Sequence, residues 1–265
     1  MTMAHIFRRG ICSRAHRRAL ALGVALAMGF TLAAPSQADS AETPPEPSPP
    51  KPHAEHPGYS SLPGNYLAGR FAYRQRDVSS ASQYYQLVLS EDSENRALVQ
   101  RTLVLTVQDA RIADSVRLAT QLVGLDPKSK IGHLVLIVNA VAEGRLDQAF
   151  ERISNIERNG IYELMAPIME GWVQLGRGDY DAAMAAIEPL STKQAFEMYH
   201  AYHGALMASM SERSDVAVKN FDVALTAVPG GTLRVVMTYG AYLRSLGRTT
   251  EATALFENYR ENNRD

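Results

Sequence analysis

From Leu62 to its last residues the chain repeats itself every 34 residues. Starting points at Leu62, Arg96, Lys130, Leu164 and Met198 stand 34 apart, and a sixth at Leu233 comes one residue late, after a Gly230-Gly231 pair that absorbs the extra residue. The twentieth position is small in all six repeats: Ala81, Ser115, Ala149, Ala183, Ala217 and Ala252. The eighth is Gly69, Leu103, Ile137, Gly171, Ala205 and Gly240, small in four. Position 24 is Tyr85, Ala119, Ile153, Ile187, Phe221 and Phe256, and position 27 is Val88, Leu122, Ile156, Leu190, Ala224 and Tyr259. Two helices pack at about 8–10 Å only where the contact side chains allow it. Small residues at positions 8 and 20 mark the closest approach of two paired helices. That accounts for the alanines of "GDYDAAMAAIEPL", which no core needs as filler. Large residues at positions 24 and 27 then point to the next repeat. A single repeat cannot bury that face alone, so stacked repeats must supply the core. The pattern predicts twelve helices and no strand.

Period, small positions and large positions together resemble the tetratricopeptide repeat, a 34-residue unit of two antiparallel helices. The resemblance spans Leu62 to Asp265. It is clearest in repeat 4, with Gly171, Trp172, Leu175, "GDYDAA" and Ile187, and in repeat 5, with Ala217, Phe221, Ala224 and Pro229. Repeat 2 departs from it at Leu103, and repeat 3 ends on Asn159-Gly160 where a proline is usual. The resemblance implies an all-α, right-handed solenoid of about six helix pairs. It also implies a concave face lined by positions 5, 9 and 12 of each first helix. Here these are Tyr66, Arg70 and Tyr73; Gln100, Val104 and Val107; Leu134, Val138 and Val141; Ile168, Trp172 and Leu175; Tyr202, Leu206 and Ser209; and Met237, Ala241 and Arg244. Repeats 3 and 4 carry no charge there, which departs from the carboxylate clamp of chaperone-binding members of the family. So much apolar surface does not normally stay open to water. Either the face grips an amphipathic helix or apolar peptide, with Trp172 as anchor, or it is filled by missing or partner chain and these residues are core.

The segment before the repeats implies a destination. Residues 1–18 hold five arginines and no acid, Ala19 to Ala34 is uncharged and apolar, and Ser36 and Ala38 form a small-x-small cleavage site. These are the parts of a secretory signal over residues 1–38, and its 16-residue apolar run is short of the roughly 20 residues a spanning helix needs. The expected location is periplasmic, with no stable membrane anchor after cleavage; Arg8-Arg9 and Arg17-Arg18 leave the twin-arginine route open beside the general one. Residues 39–61 form a proline-rich spacer. The only cysteine, Cys12, lies in the signal, which leaves the mature chain without disulfide or thiolate chemistry. Cleavage turns 27 basic against 28 acidic side chains into 22 against 28, about −6, which argues against nucleic acid.

No motif implies catalysis or a cofactor. His200 and His203 of "HAYH" have metal-ligand spacing but no third ligand nearby, and Arg177-Gly178-Asp179 reads as the turn between two helices rather than an adhesion tripeptide. The function expected is a non-catalytic scaffold that binds a protein or peptide, in envelope assembly or export by analogy of fold alone. A carrier of an apolar or lipid-like ligand in repeats 3 and 4 is the alternative. Phe256 and Tyr259 have no following repeat to cover them, so self-association through that end, or a longer array, is a further expectation.

Overall fold

A computed structural model of the chain describes residues 61–228 and 231–263. The signal, the spacer as far as residue 60, and Pro229 and Gly230 lie outside the described residues. The described residues hold twelve α-helices and no strand. They are α1 (Leu62–Arg74), α2 (Val78–Glu91), α3 (Arg96–Gln108), α4 (Ile112–Leu125), α5 (Lys130–Ala142), α6 (Leu146–Ser154), α7 (Tyr162–Gly176), α8 (Tyr180–Ile187), α9 (Glu197–Met210), α10 (Ser214–Thr226), α11 (Leu233–Ser245) and α12 (Thr249–Asn262). Two 3₁₀ segments, Glu188–Thr192 and Gln194–Phe196, separate α8 from α9. Their cause is local. Pro189 has no N–H to continue the α ladder, so the chain tightens into 3₁₀ turns that still bury Leu190.

One hydrogen-bond pattern makes every helix-pair turn. At position 16 an N–H bonds back to the carbonyl at position 11: Asp77 to Ala72, Arg111 to Thr106, Arg145 to Ala140, Asp179 to Gln174, Arg213 to Ala208 and Arg248 to Leu243, all at 2.8–3.0 Å. The residue between, at position 15, takes the left-handed conformation that this closure requires. It is glycine in Gly144, Gly178 and Gly247, but Arg76, Ala110 and Glu212 adopt the same positive φ, 55–61°. A side chain there costs about 1–2 kcal/mol, whereas glycine loses roughly 0.4–1 kcal/mol more entropy on folding. The conformational term wins, so Ala110→Gly should raise stability by about 0.5–1 kcal/mol in urea unfolding. A loss of stability would instead mean that the methyl is packed.

The close approach of paired helices is explicit in repeat 4. A Cβ added to Gly171 would stand 3.0 Å from the Ala183 carbonyl oxygen, backbone against backbone. Asp179 starts α8 there by accepting the Ala182 N–H at 2.9 Å. All six residues at position 20 are buried, and the polar one, Ser115, shares its single hydroxyl proton between the Arg111 carbonyl and the Thr106 hydroxyl. Position 24 does more than face the next repeat. Its side chain fills the space left at position 8 of its own repeat, since a Cβ on Gly69 would meet Tyr85 at 3.0 Å and one on Gly171 would meet Ile187 at 3.0 Å. In repeat 2 the volumes exchange, with Leu103 and Ala119 in one buried cluster. Gly240 likewise receives Phe256, whose ring also lies 5.1 Å below the Arg244 guanidinium. Its own repeat thus covers part of Phe256, which is half-buried, as is Tyr259.

Among the described residues the chain divides into two compact units between Asn139 and Ala140. In the first, residues 61–139, buried clusters form around Ala72, Ala81, Tyr85 and Leu105 and around Val99, Leu103, Leu118 and Leu122. In the second, residues 140–263, a cluster centred on Phe221 joins Tyr202, Tyr239, Leu243 and Ala252. No helix of the described residues is long and apolar enough to cross a membrane.

Candidate functional site

In the first unit, the small face of α1 decides what the rest of the helix shows. Ser61 caps α1 by accepting the Gly64 N–H at 3.1 Å, and Asn65, Gly69 and Ala72 are buried. Arg70 and Tyr73 are thereby left in solvent, and Tyr66 is half-buried. Tyr66 meets Tyr85 of α2 edge-on, ring centroids 5.7 Å apart. Arg101 of α3 donates to both phenol oxygens, 3.2 Å to Tyr66 and 3.1 Å to Tyr85, and Arg70 stands 6.0 Å over the Tyr66 ring. The bonds to Tyr85 and then Tyr66 raise the Arg101 pKa, so its charge is fixed. Arg101 and Tyr85 escaped the sequence reading. The available signal was position 24, where Tyr85 is the only one of six residues with a hydroxyl, and a buried phenol needs a partner.

Val104 and Val107 of α3 are exposed on the same helix as Arg101, and Leu67 and Phe71 are exposed on α1, Phe71 being turned away from Tyr73 because residues two apart in a helix do not share a face. Gln100 is exposed beside them, and Leu134 and Val138 of α5 are half-buried. Helices α1 and α3 contain Arg70, Arg74, Arg96 and Arg101 and no acid. Of these, Arg96 is paired with Asp126 of the loop after α4.

The second unit treats its share of the expected face differently. Val141, Ile168, Trp172 and Tyr202 are buried, and Leu175 and Leu206 are half-buried. Trp172 is 3% exposed, and its indole N–H donates to His203 Nδ1 at 3.1 Å. The rings of Trp172 and Tyr202 both meet His203 edge-on. Tyr202 shares a hydrogen bond with Thr238 at 3.1 Å. Of the two readings of Trp172, anchor or core, its burial accords with core: the ring packs within the fold and its one donor is used. Met237, Ala241 and Arg244 of α11 are exposed. Accepting from Trp172 requires His203 to be neutral at Nδ1. Burial, aided by the charge of Arg234, pushes its pKa down to about 4, in agreement with that bond. His200 lies 3.5 Å from Glu188, and among the described residues no three His, Cys, Asp or Glu gather as a metal would need. Arg177 and Asp179 are occupied structurally, one with Asp147 and the Phe150 ring, the other as the α8 cap.

No protein-family model and no curated protein matches the chain. Solved structures do. The crystal structure of PilW, described as a widely conserved type IV pilus biogenesis factor, aligns at 12% identity and a TM-score of 0.59, over 77% of this chain and 94% of that one. A thermophilic TPR protein of Thermus thermophilus aligns at 18% identity and a TM-score of 0.49, over 69% of this chain and 99% of that one, too low to add weight. At 12% identity the pilus factor speaks for the fold alone. Six identical turns, helices paired through small residues and that likeness give this chain the fold of a tetratricopeptide-repeat protein, an all-α helical solenoid.

Proposed function

We propose that the chain is a non-catalytic adaptor of the cell envelope that holds a protein partner on the α1–α3 face of its first unit. One observation carries this reading. In a chain with slightly more acid than base, this face combines exposed Arg70 with Tyr73, Val104 and Val107, and its two helices bring no carboxylate. Arginine and aromatic side chains dominate binding energy at protein interfaces. Arg101 clamped between two phenols gives the face a rigid centre, which lowers the entropy a partner must offset. Leu134 and Val138 extend the apolar area. Such a face suits a partner segment that carries apolar groups and acids. The periplasmic location rests on the leader-like residues 1–38, and a role in envelope assembly on the similar fold of a pilus biogenesis factor. The lipid-carrier alternative loses its lining, since Val141, Ile168 and Trp172 are already packed.

The test is to express the full chain in its source cells, isolate it from the envelope fraction, and compare it with Arg70→Glu/Val104→Asp. Both side chains are exposed, so circular dichroism should not change. Loss of an interface arginine and a neighbouring contact should weaken a partner by tenfold or more, about 1.4 kcal/mol or above. A partner retained equally by the double variant would remove this face from the proposal.

A further inference from the structure

A second site, separate from the α1–α3 face, lies in the second unit. Between α10, α11 and α12 is a cavity of about 610 Å³, within the roughly 300–1,000 Å³ range of small-ligand pockets. Leu225, Leu243 and Leu255 give it apolar walls, and its polar side holds Asp222, Tyr239 and Glu251, with no Lys or Arg in the lining.

The two carboxylates are not equivalent. Glu251 is bound at both oxygens by Arg248, at 2.6 Å each, so its charge is already matched. The Asp222 carboxylate, on the exposed rim, accepts one hydrogen bond, from the Tyr239 hydroxyl at 2.8 Å, and Arg248 acts on it only through the longer-range attraction of a charge already bound to Glu251. Tyr239 is a fixed donor: it is 5% exposed and stacks on Phe221 at 5.0 Å. Burial, then the bond to Asp222, raise its pKa, so it stays protonated. Tyr239 therefore orients Asp222 without neutralising it. The cavity offers a positioned negative charge beside an aliphatic wall.

We propose that this cavity receives a lysine side chain of a partner peptide, its methylene stem along Leu225, Leu243 and Leu255 and its ammonium against Asp222. A lysine stem is apolar and its head is charged, which matches the two halves of the lining. The site does not depend on the α1–α3 face, so either can fail alone.

The test is methyl and aromatic NMR of the full chain, titrated with three probes: N-acetyl-lysine methylamide, its norleucine analogue, and pentylammonium. The lysine probe should shift the methyls of Leu225, Leu243 and Leu255 saturably. The neutral norleucine analogue should bind about fivefold or more weaker, as loss of one charged contact implies. Asp222→Asn keeps an acceptor for Tyr239, and should cut lysine binding by a similar factor, while Glu251→Gln should leave it within about twofold. No saturable shift, equal binding of norleucine, or dependence on Glu251 instead of Asp222 would each overturn the proposal. Binding of pentylammonium without the lysine probe would also overturn it, by making a free amine the ligand. The comparison with norleucine needs no variant, so a misfolded Asp222→Asn would not rescue the idea.

Discussion

Trp172→Ala should destabilise the second unit by about 3–5 kcal/mol, the usual cost of deleting a buried aromatic ring. The ring is 3% exposed, wedged against His203, and its N–H supplies the partner of a buried imidazole nitrogen. Truncation opens a cavity and orphans His203 Nδ1 in the same step, and an unsatisfied buried acceptor adds to the cost. Trp172→Phe separates the two effects. It keeps most of the ring and removes the donor, so a loss of about 1–2 kcal/mol is expected. Urea unfolding followed by far-ultraviolet circular dichroism measures both. If Trp172→Ala cost under about 1 kcal/mol, the ring would be standing in an open groove, and the packing described for α7 and α9 would be wrong.

Acid should weaken the same unit through His203. Its folded pKa, about 4, lies below the 6.5 of an unperturbed histidine. A depressed histidine holds the fold at full strength above the unfolded value. As pH falls below 6.5, the unfolded chain takes up a proton that the folded chain refuses until about pH 4, so stability is lost across that window. The gap corresponds to about 3 kcal/mol at its lower end. The local chemistry agrees, because a proton on Nδ1 would set N–H against the Trp172 N–H. Trp172 is the chain's only tryptophan, so its fluorescence reports this unit directly. Urea midpoints from about pH 7.5 to about 4.5 should fall more steeply in the natural chain than in His203→Gln, which has no titrating ring there. Parallel slopes would show that His203 is not the acid-sensitive group.

The two units teach different lessons about reading such a chain. Leu134, Val138, Val141, Ile168 and Trp172 form one apolar series at positions 5, 9 and 12, and the repeat pattern assigns them one role. The structure assigns them several. Val141, Ile168 and Trp172 are buried, while Leu134 and Val138 keep some surface. The difference arises from neighbours distant in sequence: His203 lies 31 residues from Trp172, packs edge-on against its ring and takes its one donor. Arg101 illustrates the converse. It stands at no expected site position, yet reaches phenols 35 and 16 residues away and organises the exposed face.

Local physics was legible because it repeats. Small residues at positions 8 and 20 must allow two helices to touch, and an apolar face must find a neighbour, so period and side-chain volume alone determined helix pairs, their number and the all-α class. Even the turns follow one rule, although glycine marks only three of the six left-handed residues, since Arg76, Ala110 and Glu212 can be held there by the closed hydrogen bonds around them. Tertiary structure alone decided which apolar positions remain open, which phenol meets which arginine, and that Asp222, Tyr239 and three leucines surround one cavity. Those outcomes depend on how side chains from several helices divide a shared volume and satisfy each other's polar atoms, and a one-dimensional period carries no record of that division.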